Sequence, residues 1–229
     1  MSFVSVICEG ECEMDFVQGV LGPHLSIKGI TVQGTVVGKK VSRDLASSPG
    51  GILKFDPLYR HIRAELRRVS SPTSVVTTMV DLYAFPRDLD GFGAISEIAD
   101  PYERVIQLET LLQRRIGDTR FFPYVQLHEF EALVLSDMEI LRRELDESDA
   151  TEGIGRLLAD LGDLEPEEVD QSPQGAPSKR LQRFLPGYRK RTMARSVTSQ
   201  IGCDRLRRRC PHFGSWLDRL EALSPSAPL

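Results

Sequence analysis

The stretch Phe3-Val4-Ser5-Val6-Ile7-Cys8-Glu9-Gly10-Glu11-Cys12-Glu13 decides the fold. Its near-continuous apolar run, closed by turn chemistry, is the pattern of a parallel strand buried on both faces. Gly10 allows a tight exit, and Glu13-Met14-Asp15-Phe16-Val17 opens a helix. Glu9 is thereby expected at the carboxyl end of a central strand, the edge of an open α/β sheet where ligands collect. A carboxylate there suits a divalent metal or a proton transfer. It would equally cap the following helix, whose start favours negative charge.

Working outward, the spacing of Phe16, Val17, Val20, Leu21 and Leu25 gives a helix to about Leu25. Ile30 to Gly38 then reads as a second strand, and residues 39–51 as a polar, basic loop. Leu58, Ile62, Leu66 and Val69 give a helix over Asp56 to Val69, ended by Ser70-Ser71-Pro72. Ser74 to Asp81 is a third apolar, β-branched strand, and it too ends in an acid. After a long loop carrying Asp88 and Asp90 come a helix over Pro101 to Ile116, a strand over Phe121 to His128 and a helix over Glu129 to Leu145.

This alternation predicts an α/β fold: a mostly parallel sheet of about four strands flanked by helices. Residues 1–145 form that domain. Residues 146–229 form a helical C-terminal extension packed on it, with an acidic linker and then basic helices. Short helices are expected near Ile154–Leu161, Ser178–Phe184 and Tyr188–Thr198. A terminal helix runs from Cys203 to Leu223, broken near Pro211.

A 41% hydrophobic content supplies a core, while no apolar run approaches the ~18 residues of a membrane span. The apolar start is too short for a signal peptide and lacks a basic region before it. Four cysteines in 229 residues make no disulfide framework, so a reducing cytoplasm is expected. The net charge of −4 hides a division. Residues 176–229 hold 12 Lys and Arg against 3 Asp and Glu; residues 1–175 hold 17 against 30. An acidic body with a basic tail fits metal binding plus phosphate contact, or pairing of the two parts with each other.

Glu9, Asp81, His128 and Glu131 all fall at or just past strand ends, with Glu13 and Glu129 beside them in sequence. Converging carboxylates repel and need a cation to stay ionised. Oxygen ligands favour Mg²⁺ or Mn²⁺ over Zn²⁺. Such an ion would polarise a phosphate and activate water. Taken singly, Asp81 could merely end its strand and Glu131 could lie on a solvated helix face.

Ile7 to Glu13, followed by an acid-ended third strand, resembles a Toprim (topoisomerase–primase) domain, in which a glutamate after strand one and Asp-x-Asp after strand three surround Mg²⁺. A closer resemblance, spanning almost the whole chain, is to a bacterial family, domain-of-unknown-function family 4276. It is carried by Val80-Asp81-Leu82-Tyr83-Ala84-Phe85-Pro86-Arg87-Asp88, Gln126-Leu127-His128-Glu129-Phe130-Glu131-Ala132-Leu133, Ala176-Pro177-Ser178-Lys179-Arg180 with Pro186-Gly187-Tyr188, and Cys210-Pro211-His212-Phe213. That family is similar to the Toprim modules of RloB-like proteins and of overcoming-lysogenisation-defect nucleases, which often act beside an ATPase in anti-phage defence or DNA transactions.

The resemblance implies a Toprim-like, Mg²⁺- or Mn²⁺-dependent nuclease. Glu9 would be base or ligand; Asp81 and Asp88 metal ligands; Glu131, with His128, a supporting or second-metal group; Glu13 and Glu129 supporting; and Lys179 the transition-state cation. Asp81-Leu82-Tyr83 stands where the Toprim pattern has Asp-x-Asp, so a second carboxylate comes from Asp88 or Asp90 by fold-back of the loop, or is absent. The rival is a non-catalytic scaffold docking a partner ATPase or nucleic acid; a small-molecule phosphohydrolase or phosphotransferase is a third reading.

Lys179, Arg180, Arg183, Lys190 and Arg191 head a basic set dense enough to follow a DNA or RNA backbone. Ser178 as a helix cap, with Lys179 on the first turn, is the structural alternative. Tyr188 and Phe184 would stack bases or fill a core. Cys203, Cys210 and His212 match no zinc spacing, Cys12 has no recognisable His or Asn partner, and no Gly-x₄-Gly-Lys-Ser/Thr phosphate loop occurs.

Overall fold

A computed structural model of the chain describes residues 2–38, 52, 54–69, 71, 73–145, 147–169, 172 and 175–225. The basic loop expected over residues 39–51 lies outside them. Strand β1 (Ser2–Cys8) leads into helix α1 (Glu11–Phe16), which continues through a π-helical turn, Val17–Leu21, into α2 (Gly22–Ser26). Then follow β2 (Ile30–Val36), α3 (Phe55–Arg68) and β3 (Ser74–Asp81). The chain goes on through α4 (Phe92–Ser96), α5 (Pro101–Ile116) and β4 (Val125–Gln126).

The four strands pair in the order β2-β1-β3-β4, all parallel. The chain runs outward from β1 to β2 on one side and from β3 to β4 on the other. The connection reverses between β1 and β3. The crevice at their carboxyl ends is the switch point where α/β sheets bind ligands.

One face of the sheet, with Val4, Val6, Val75 and Met79, packs under α1 and the C-terminal helices. The other, with Ile7, Val76 and Val80, packs under α3 and α5. The helices after β4 are α6 (Glu131–Val134), α7 (Met138–Arg143), α8 (Glu147–Leu161), α9 (Pro177–Phe184), α10 (Lys190–Ile201), α11 (Cys203–Arg209) and α12 (Pro211–Glu221). Trp216 of α12 ties this part to the sheet. Its ring stacks on Tyr124 at 4.3 Å between centroids, and its indole N–H donates to Thr77 Oγ1 at 3.0 Å.

Three expectations are corrected. The strand expected over Phe121 to His128 is two residues long, with an isolated bridge from Val76 to Phe121. Pro123 has no N–H to give a ladder. Thr78 bridges the gap by accepting the N–H of Tyr124 (3.0 Å) and donating to its carbonyl (2.9 Å). The helix expected over Glu129 to Leu145 is two short ones, because the Asp137 side chain caps a new start at the N–H groups of Glu139 and Ile140. The helix expected near Ile154–Leu161 begins at Glu147, and α4 was not foreseen. Among the described residues no helix is long and apolar enough to cross a membrane.

Candidate metal centre

The wholly buried third strand delivers Asp81 to the switch point, and Glu9 follows β1 directly. Glu9 Oε2 accepts the backbone N–H of Asp81 at 2.9 Å, so residues far apart in sequence meet there. Capping the next helix falls instead to Glu13, whose Oε2 accepts the N–H of Gly10 at 2.8 Å. This is half of a capping box, since Gly10 has no side chain to return the bond.

Glu13, Asp81, Glu129 and Glu131 are buried, Glu131 completely, and Glu9 is half-buried. Burial pushes the Glu9 carboxyl above its ordinary range; the bond from Asp81 N–H and the charge of Lys190 oppose that rise, while Glu129 and Glu131 add to it. Asp81 is pushed well above its usual value by burial, then by Glu9, Glu13 and Glu131. Glu13 is pushed up to about 7 by burial and by Glu9. Burial also raises Glu131, and Lys190 holds it back. Lys190 Nζ lies 2.9 Å from Glu131 Oε1, an ion pair at contact distance and not an aligned hydrogen bond. Asp81 Oδ1 and the Tyr188 hydroxyl are buried without a hydrogen-bond partner.

Oxygen donors crowded in low dielectric, Asp81 Oδ1 and Glu131 Oε2 among them without a hydrogen-bond partner, match the chemistry of a hard divalent cation. Among the described residues, no three acidic, histidine or cysteine side chains already surround one point as ligands. The Glu9 bond to Asp81 and the Lys190 pair with Glu131 occupy two of the carboxylates that would do so.

Other expected residues have other work. Asp88 Oδ1 accepts the N–H of Phe55 at 2.8 Å, at the start of α3. His128 precedes α6, so it does not face one way with Glu131 along a helix. It has a positive φ of 60°, an uncommon backbone for a residue other than glycine, and its carbonyl accepts the N–H of Tyr83 at 3.0 Å. Glu129 Oε2 accepts the N–H of Ser178 at 2.9 Å, so the start of α9 is capped from α6's side of the molecule and not by the Ser178 side chain. Lys179 is exposed on the first turn of α9, and the cation at the acids is Lys190. No local sequence signal pairs Lys190 with Glu131.

Much of the expected nucleic-acid surface is paired internally. Arg180 binds Asp160, Arg183 lies 3.9 Å from the same carboxylate, and Arg191 joins Asp15 (2.9 Å) and Glu11 (3.1 Å). Tyr188 belongs to the core. Cys210 Sγ contacts Ser136 Oγ at 3.2 Å, while His212 binds Glu109 at 3.0 Å.

A family model described as Domain of unknown function (DUF4276) matches residues 8–221. The chain belongs to that family. A search of curated proteins finds no match. Among solved structures, the C-terminal region of the OLD protein of Xanthomonas campestris pv. campestris is similar, at 18% identity, over 97% of this chain and 96% of that one, with a TM-score of 0.41.

Proposed function

We propose that this DUF4276 protein is a Toprim-like nuclease that hydrolyses phosphodiester bonds of DNA or RNA with Mg²⁺ or Mn²⁺. The observation that carries this reading is the meeting of Glu9 and Asp81 at the switch point, with Glu13 and Glu131 buried beside them. Glu9, Asp81 and Glu131 would hold the ion. When bound, it supplies polarisation of a phosphate and a nucleophilic water at neutral pH. Lys190 takes the charge-stabilising part first expected of Lys179, facing a non-bridging phosphate oxygen. A separate ATPase in a defence or DNA-transaction system is the partner consistent with a sequence that lacks a phosphate loop.

A second reading has its own observation. Lys190 already neutralises Glu131, and the acid expected of Asp88 is spent at α3. A scaffold would use the lysine where an enzyme uses the metal. Cleavage of labelled single- and double-stranded DNA and RNA with Mn²⁺, compared with Glu9→Gln and Asp81→Asn, decides between them. Activity lost in both variants supports the nuclease; equal activity in all three proteins rules out this site as its source.

A further inference from the structure

Immediately past Asp81 the chain turns along a groove of about 420 Å³ between the exit of β3 and helices α4 and α5. Its walls include Tyr83, Phe85, Arg87, Phe92, Gly93 and Arg104. Tyr83 is 45% exposed, although its backbone is fixed by the bond to His128 O. Phe85 and Phe92 lie nearly parallel, 12° apart at 6.0 Å between centroids. Arg104 is held by two bonds from Nε and Nη2 to Ile98 O, at 2.8 and 2.6 Å. Arg87 is exposed and makes no ion pair among the described residues. No acid lines the groove.

We infer that this groove binds single-stranded nucleic acid, with an unstacked base against Tyr83 and the adjoining phosphates facing Arg87 and Arg104. Charge decides the occupant: an aromatic wall flanked by two guanidinium groups, without a carboxylate, complements a planar base carrying phosphate. A duplex keeps its bases stacked and cannot offer one to Tyr83. Leu82, the residue after Asp81, lines the groove, which sets it next to the exit of the strand that carries that carboxylate. The inference deepens the nuclease reading by naming the form of its substrate.

Gly93 supplies a clean probe. A Cβ built there meets no atom within 4 Å, so a side chain at this position enters open space in the groove wall and not the core. The experiment measures anisotropy of fluorescein-labelled 12-nucleotide single strands, of DNA and RNA, in EDTA, with matching duplexes, AMP and poly-glutamate as competitors. Expected are binding of single strands, at least tenfold weaker binding by Tyr83→Ala and by Gly93→Glu, and unchanged melting temperatures. Wild-type affinity in both variants, a preference for duplex, or competition by AMP or poly-glutamate as effective as by the single strand would overturn it. Because EDTA removes the metal, binding is read apart from cleavage. Glu9→Gln that binds but does not cut leaves both readings standing, whereas cleavage abolished by Glu9→Gln beside unaltered binding by Tyr83→Ala removes this inference alone.

Discussion

Lys190 Nζ of α10 lies 2.9 Å from Glu131 Oε1 of α6, and this pair places the protein's C-terminal part in contact with the acids of its sheet. Glu131 is completely buried, so removing the ammonium leaves a carboxylate in low dielectric with its main positive neighbour gone. Breaking a buried pair from one side costs about 3–5 kcal/mol, and the half-exposed lysine lowers that to about 1–3 kcal/mol here. Lys190→Met is therefore expected to lower the midpoint of urea unfolding in EDTA at pH 8. Millimolar Mn²⁺ should restore more stability to this variant than to wild type, since the ion no longer competes with the ammonium.

Bound metal stabilises the folded state by mass action. Wild type at pH 7.5 should melt several degrees higher in millimolar Mn²⁺ than in EDTA. Asp81→Asn should lose most of that gain while melting higher than wild type in EDTA, because one crowded charge is gone. Differential scanning fluorimetry reads all four melting temperatures. Equal shifts in both proteins would place the ion elsewhere.

The metal-free protein should become less stable as pH rises from about 4.5 to about 7. Unfolded Glu13 releases its proton near 4.5, whereas the folded protein keeps it until about 7. Between those values the folded state binds more protons, so ∂ΔG/∂pH is negative. The stabilisation is complete below 4.5 and gone above 7. For Glu13 it amounts to about 3 kcal/mol at most, at about 1.4 kcal/mol per unit. Urea titrations in EDTA at pH 5, 6 and 7.5 should show the decline in wild type and a flatter profile in Glu13→Gln.

Gly153→Ala tests the packing of α8 on α9. A helix interior gains up to about 1 kcal/mol from alanine over glycine. Here the new Cβ would stand 2.6 Å from Phe184 O and 2.9 Å from Leu185 Cδ2. A backbone carbonyl cannot move aside cheaply, so the clash wins and a net loss of about 1–3 kcal/mol is expected from chemical unfolding.

Trp216→Phe removes the donor to Thr77 while keeping most of the ring. A loss of about 1–2 kcal/mol follows from the hydrogen bond and the smaller stacking area. Trp216→Ala should cost about 3–5 kcal/mol, as for other buried aromatic truncations. Circular dichroism melting curves separate the two.

The sequence by itself determined the parallel sheet and the position of its acids. The runs Ser2–Cys8 and Ser74–Asp81 are mostly apolar or β-branched, and helix Pro101–Ile116 is flanked by its own cap and terminal glycine and opens on a proline. Such signals are local, and local chemistry is what a sequence displays. It placed Glu9 and Asp81 at strand ends, while tertiary structure alone decided their meeting, which requires β1 and β3 to be neighbours. Only the fold could show Asp88 spent on α3, Glu129 capping α9 and Lys190 serving Glu131. Each is a contact made by a flexible side chain across two or more elements. Its partner depends on which surfaces the core brings together, information spread over the whole chain and absent from any single stretch of it.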